Sequence, residues 1–232
     1  VIAEIPRGPV VVPALVRAYA AGDPEAVWIN ELGGITFRDG DRYLKWNPLG
    51  NGIALDEERQ RLEWVGGRAV VPRVLGTGRD DEAELLITAA LPGTSAVAPP
   101  WSGRPLEAAR AIGEGLRRFH EAIPVDDCPF TSWVGERVVP RADRLVVIHG
   151  DACAPNTLIA PDGAFAGHVD LGQLGVADPW ADLAIASMSL DWNYEPDGAD
   201  ARRWEDELFA AYGVARDEER VTAYRALWDD EP

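Results

Sequence analysis

The chain has 232 residues, 47% of them apolar and 26% charged, enough to bury a sizeable core in one domain or in two lobes sharing a cleft. Its formal net charge of -17 disfavours nucleic acid and anionic membranes as partners, and fits either a solvated acidic surface or a cationic substrate. No apolar run reaches the ~18 to 20 residues of a membrane span. The N-terminus has no basic stretch followed by an apolar one, so no secretory signal is expected. The two cysteines, Cys128 and Cys153, argue against a disulfide framework and for a reducing cytoplasm.

In chain order, Leu15 to Ala20 is expected to form a short helix. Three short strands follow, Val27 to Leu32, Gly34 to Arg38 and Arg42 to Trp46, broken by Gly33-Gly34 and by Asp39-Gly40-Asp41. Leu55, Leu62 and Val65 recur near helical spacing with charges between them, which predicts a helix over Leu55 to Val65, stopped by Gly66-Gly67. Val70-Val71 and Val74-Leu75 flank Pro72, and Leu85-Leu86-Ile87 is a further strand. The first part thus reads as an antiparallel sheet with one helix, and Leu91-Pro92-Gly93 as the break before a second lobe, placing the lobes at 1–90 and 91–232.

The second part reads mostly helical. Pro105 to Glu121 is amphipathic, with Ala109, Ile112, Leu116, Phe119 and His120 near one face. Asp182 to Leu190 is an apolar helix, and Trp204 to Tyr212 and Glu218 to Trp228 are two more. Between them lies a β-like patch of Leu145 to Ile148, Thr157 to Ile159 and Phe165 to Val169. The fold class is therefore α+β.

Five features suggest one kind of chemistry. Lys45 sits inside a strand, where an ammonium can neutralise phosphate oxygens, and Glu58 on the following helix can hold it, although Glu57 stands beside Glu58. In His149-Gly150-Asp151-Ala152-Cys153-Ala154-Pro155-Asn156, Asp151 falls in a loop at a strand end and can take a proton from a substrate hydroxyl. Asn156, five residues on, offers an amide oxygen to magnesium, and Asp170 in His168-Val169-Asp170-Leu171-Gly172 would be the main metal ligand, with Gly172 letting the chain turn sharply. Asp178-Pro179 opens the apolar helix as N-cap and first helical residue.

These residues resemble the aminoglycoside phosphotransferases, especially the 3′-phosphotransferase group, which share the protein-kinase-like fold. The resemblance runs through Val27 to Gly34, Tyr43-Leu44-Lys45-Trp46, Glu58 with Leu62 and Trp64, Val71 to Leu75 and Leu91-Pro92-Gly93. It continues in His149-Gly150-Asp151 with Asn156, in Val169-Asp170-Leu171-Gly172, and in Leu174 to Asp178. It implies a two-lobed kinase that uses ATP or GTP with Mg2+ to phosphorylate a hydroxyl of a cationic aminoglycoside. Asp151 would be the catalytic base, Asn156 and Asp170 would hold magnesium, and Lys45, fixed by Glu58, would contact the α- and β-phosphates. Leu32 to Thr36, with Gly34 and Thr36, would cover the phosphates, and Ile87 to Ala90, with the backbone of Thr88, Ala89 and Ala90, would meet the adenine edge. Asp191, Asp229, Asp230 and Glu231 would be candidates for ammonium contacts.

Three departures from the family pattern stand out. Gln173 replaces the usual arginine after Asp-x-Gly. Gly33-Gly34 is no glycine-rich kinase loop. Only 28 residues separate His120 from His149, where relatives carry a longer insert with acidic residues, and Glu136 to Asp143 reads like two ends joined. The same residues also have plain structural readings. His120 and His149 suit packing or hydrogen bonding, Asp178 a helix cap, the cysteines small half-buried positions, and Trp101, Trp180, Trp192 and Trp228 mostly core. The alternatives in function are a kinase of another hydroxylated metabolite and a non-catalytic nucleotide-binding protein.

Overall fold

A computed structural model describes residues 5–194 and 199–230. They divide into two compact units. One comprises the residues up to Trp64 with Pro72–Ala90, and the other Val65–Val71 with the residues from Leu91 onward. The short segment Val65–Val71 goes with the second unit for a local reason: the His168 amide donates to the Val70 carbonyl at 3.0 Å.

The first unit is a five-stranded antiparallel sheet in the order β1 (Glu25–Ile29), β2 (Ile35–Asp39), β3 (Arg42–Pro48), β5 (Ala83–Ala89), β4 (Val74–Arg79). The Asp-Gly turn works as expected: Gly40 takes φ 63° and closes the β2–β3 hairpin. Alternation along β3 sends Leu44 and Trp46 to one face, where they join Phe37, Leu85 and Ile87 and the residues Leu15 and Val16 of helix α1 (Ala14–Tyr19). Lys45 and Asn47 therefore share the opposite face. Helix α2 (Leu55–Val65) buries Leu55, Leu62 and Val65 as its spacing predicts, and its first amide, on Leu55, donates to Glu84 Oε1 at 2.6 Å. Gly67, at φ 83°, ends it.

The second unit is built on four helices, α3 (Pro105–Ala122), α4 (Trp180–Tyr194), α5 (Ala199–Tyr212) and α6 (Glu218–Asp229). All five residues expected on the inner face of α3 are buried. Helix α4 is buried on every side from Trp180 to Leu190, as suits an apolar helix in a core. Helices α3 and α5 approach so closely that a Cβ on Gly113 would stand 2.3 Å from the Leu208 carbonyl. Trp101 and Trp180 are core residues, Trp228 meets Trp133 edge-on at 5.1 Å between ring centres, and Trp192 is exposed.

The single β-like patch read from the sequence is two sheets. β7 (Val146–Ile148) pairs with β10 (Gly175–Ala177), whereas β8 (Thr157–Ile159) and β9 (Phe165–His168) pair with each other and with β6 (Thr94–Ser95). Strands of two to four residues carry too little alternation to reveal their partners. Between Gly135 and β7 the chain has no regular structure, and cations tie it down: Arg220 reaches the Arg141 carbonyl and Asp143, and Arg144 reaches the Tyr212 hydroxyl. Among the described residues no helix is long and apolar enough to cross a membrane.

Candidate active site

In the first unit the Lys45 ammonium donates to Glu58 Oε2 at 2.7 Å. The pair follows from local structure: Lys45 is on the sheet face away from α1, and Glu58 lies one turn into α2, its side chain 8% exposed. Glu57 turns the other way and pairs with Arg61 at 3.0 Å, so the helix itself decides between the two glutamates. A glutamate removed from water with an ammonium at this distance is a charge-assisted bond, which holds the lysine in one rotamer.

Thr36 stands opposite Lys45 in the β2–β3 ladder. Gly34 is buried, and a Cβ there would meet Asn30 Nδ2 at 2.5 Å and Asn47 Oδ1 at 2.9 Å, so no larger residue fits. Thr88 and Ala89 end β5. The amides of Ala89 and Ala90 donate to the carbonyls of Arg73 (2.9 Å) and Asp41 (2.8 Å), so they are engaged within the unit.

In the second unit, β7 delivers His149-Gly150-Asp151 to a loop anchored from below by Asp182. This carboxylate accepts from the amides of His149 (2.6 Å) and Gly150 (3.0 Å) and from His120 Nε2 (2.9 Å). With Nε2 donating, His120 Nδ1 accepts from the Tyr212 hydroxyl at 2.9 Å, which itself accepts from Arg144 at 2.7 Å. Burial alone would push the Asp182 carboxyl up; the His120 bond and charge, aided by His149 and the Gly150 amide, hold it below the usual range. Gly150, at φ 91°, is obligatory, because a Cβ would lie 2.0 Å from the Gln173 carbonyl. His149 joins two loops: its Nδ1 accepts from the Asp151 amide at 3.3 Å and its Nε2 donates to the Val169 carbonyl at 3.0 Å. His120 and His149 are thus scaffold, as their structural reading held.

Asp151 is fixed by Asn156, whose Nδ2 donates to its Oδ2 and to its carbonyl, each at 3.0 Å. Its other oxygen, Oδ1, is buried without a partner. Burial raises the carboxyl, and the charge of Asp170 raises it further, against the opposing pull of Cys153, His149 and Asn156. Burial likewise pushes the neighbouring Cys153 thiol well up, so it stays a thiol. Asp170 takes φ 63°, the left-handed region, and the turn expected at Gly172 follows it, closed by the Leu174 amide donating to the Leu171 carbonyl at 3.1 Å. Its loop is pinned by the Val169 amide, which donates to the Asn156 carbonyl at 3.0 Å. A carboxylate raised by a second one, an orphaned buried oxygen and a nearby amide offer oxygen donors of the kind a hard cation takes. No cluster of three or more His, Cys, Asp or Glu suited to a metal occurs among the described residues, so such a cation would complete its shell with oxygens from elsewhere.

Asp178 caps α4, its Oδ1 accepting from the Trp180 amide at 3.0 Å. Asp191 lies near the end of the same helix; its Oδ1 is buried and unpartnered, and burial and then Glu205 raise its carboxyl against Arg225 and Arg216. Asp229 and Asp230 are exposed at the end of α6, and Glu231 lies outside the described residues. Sequence reasoning missed Asp182, whose signal was a lone carboxylate inside an apolar helical run, and missed Asn30, Asn47 and Asn51 beneath the β1–β2 loop.

A model of the phosphotransferase enzyme family matches residues 133–224, which include Asp151, Asn156, Asp170 and Asp182. Streptomycin 3''-kinase of Streptomyces griseus is 32% identical over 89% of the chain and 91% of its own length. That alignment spans 261 positions, more than the 232 residues of the chain, so the relative carries residues this chain lacks. Aminoglycoside 3'-phosphotransferase of Streptomyces fradiae is 31% identical over 78% of the chain and 81% of its length. Aminoglycoside phosphotransferase APH(3'')-Id of Streptomyces rimosus has the same fold, with TM-score 0.74, 30% identity, and coverage of 92% of this chain and 94% of that one. The same enzyme is also known in complex with ADP and streptomycin, and that structure matches with TM-score 0.72. With likeness over nearly its full length, the chain belongs to the aminoglycoside phosphotransferase family and is a phosphotransferase of kinase-like fold.

Proposed function

We propose that this enzyme transfers the γ-phosphoryl group of ATP or GTP to a hydroxyl of an aminoglycoside antibiotic and so inactivates it. The observation that carries the reading is Asp151: a carboxylate clamped by Asn156, with one buried oxygen left without a partner. An acceptor hydroxyl is the natural partner for that oxygen. Asp151 would orient the hydroxyl in line with the phosphoryl group and take its proton as the new O–P bond forms and the bond to the leaving diphosphate breaks.

Asp170 and the Asn156 side chain would hold magnesium, which when bound neutralises charge on phosphate oxygens. Lys45, locked by Glu58, would contact the α- and β-phosphates from the first unit, with Gly34 and Thr36 near them. The hinge over Thr88 to Ala90 would meet adenine through backbone groups other than the Ala89 and Ala90 amides, which already have partners. Ammonium groups of the substrate suit Asp191, Asp229, Asp230 and Glu231 and the net charge of -17. A cytoplasmic setting would supply nucleotide and magnesium and suits the two thiols, Cys128 and Cys153, which are unpaired to one another.

The test is nucleoside diphosphate release from ATP and from GTP, with magnesium, over a panel of streptomycin, 3'-hydroxyl aminoglycosides and unrelated hydroxylated metabolites. Turnover on at least one aminoglycoside is expected. Turnover only on another acceptor overturns the substrate assignment, and nucleotide binding without turnover on any acceptor overturns the enzyme reading.

A further inference from the structure

The loop between β1 and β2 is closed by side-chain amides. Asn30 Oδ1 accepts from the amides of Leu32 (3.0 Å) and Gly34 (2.7 Å), and the Gly33 amide donates to the Asn30 carbonyl (3.2 Å). Three consecutive amides thus turn inward. A glycine-rich phosphate loop works the opposite way, aiming its amides outward as an anion nest.

From the other side, Asn51 Nδ2 donates to the Leu32 carbonyl (3.0 Å) and to Asn47 Oδ1 (2.9 Å). Asn47 Nδ2 returns the bond to Asn51 Oδ1 (2.9 Å) and also reaches the carbonyls of Pro48 and Ile53 (3.1 Å each). The Ile53 amide donates to Asn51 Oδ1 at 3.1 Å, which fixes Asn51 in turn. Asn47 is 1% exposed and sits two residues from Lys45, on the same face of β3. The tip of the loop is open to solvent, with Leu32 46% exposed, while its base is held to the strand that carries Lys45.

We propose that Asn51, together with Asn30, is a positioning residue for the nucleotide: it fixes the Leu32–Gly34 loop at a set distance from the Lys45 ammonium. The proposal rests on the reading that nucleotide phosphates lie beside Lys45. A loop already held in place loses little conformational freedom when a ligand arrives, so the clamp strengthens binding without touching the ligand. Because its amides are engaged, the loop acts by shape, and the attraction for phosphate comes from Lys45.

The experiment compares the intact wild-type protein with Asn51→Ala and Asn30→Ala. Three quantities are measured: the Kd of magnesium–ATP by calorimetry, kcat and KM for ATP and for an aminoglycoside substrate, and hydrogen exchange over residues 30–35 without nucleotide. Losing one or two hydrogen bonds that order the loop should weaken ATP about five- to tenfold in both Kd and KM. The aminoglycoside KM and kcat should stay within about twofold, since only the free-state order of the loop changes. Exchange over 30–35 should be faster in both variants. Unchanged ATP affinity despite faster exchange would overturn the proposal, as would an equal loss for both substrates, which marks general damage. A variant that fails to fold leaves the other to decide. A wild-type protein that binds no ATP removes the nucleotide reading itself, a result distinct from a wild type that binds ATP and an Asn51→Ala protein that binds it as well.

Discussion

The two units carry their charged residues in opposite conditions. In the first, Lys45 and Glu58 already neutralise one another at 2.7 Å. In the second, burial and then the Asp170 charge raise Asp151, and Asp151 Oδ1 has no partner. Both groups are held by firm scaffolds, so the difference is not one of order. The Lys45–Glu58 pair is satisfied within its own unit, whereas Asp151 keeps one buried oxygen that no donor among the described residues reaches. An unsatisfied buried carboxylate costs stability, and such a cost persists at sites shaped by function.

The largest test of this contrast is Asp151→Asn. It should lower kcat about 1,000-fold while magnesium–ATP affinity stays within about twofold, because the hydroxyl loses its base and the nucleotide keeps its ligands. Steady-state turnover and calorimetry check both halves, and wild-type turnover would break the assignment.

Next comes the scaffold beneath it. Asp182→Asn removes a buried charge that accepts three hydrogen bonds and should cost about 2–4 kcal/mol in urea unfolding. A loss below about 0.5 kcal/mol would show that the catalytic loop is anchored elsewhere.

A sharper comparison sets Glu58→Gln against Asp170→Asn in metal-free protein. The first breaks the Lys45 pair and should lower Tm by about 2–6 °C; the second also removes the charge that raises Asp151 and should lower Tm by less than the first. Magnesium should raise Tm in the wild type and not in Asp170→Asn, and chelation should abolish turnover. Equal losses for the two variants would erase the distinction between the units.

The smallest effect in the working range concerns pH. Burial first, and then the nearby His149, push His168 down to about 3. It is neutral in the fold but takes a proton near 6.5 when unfolded, so the unfolded chain binds the extra proton. Its contribution is fully present above pH 6.5 and is lost progressively down to about 3. Between pH 7 and 6 the loss should stay under about 1 kcal/mol, read from urea midpoints.

The sequence was most legible where neighbours in the chain are partners in space. Leu55 to Val65 formed the helix its spacing predicts, and Asp151 and Asn156, five residues apart, bond directly. The inner face of α3 followed from periodicity alone. Long separations hid the rest. Asp182 takes amides 32 and 33 residues away and a histidine 62 away, so no local pattern marks it as an anchor. Asn51 reaches Leu32 across 19 residues, and an asparagine in a loop ordinarily signals only a turn. β10 is three residues long and is a strand only because β7 lies beside it. The turn read at Gly172 is present, whereas the left-handed backbone of Asp170 just before it carried no local signal.

The contact between Gly150 and Gln173 bears on how this enzyme can change. What leaves no room for a side chain at Gly150 is the backbone and Cβ of residue 173, while Gln173 as a whole is exposed. The scaffold therefore depends on the path of the chain at that position and is indifferent to the side chain it carries. A substitution such as Gln173→Arg would add a positive charge next to the Asp170 loop without repacking any core residue. Position 173 is thus open to natural variation or design as a place to retune charge at the reaction centre while the architecture stays fixed.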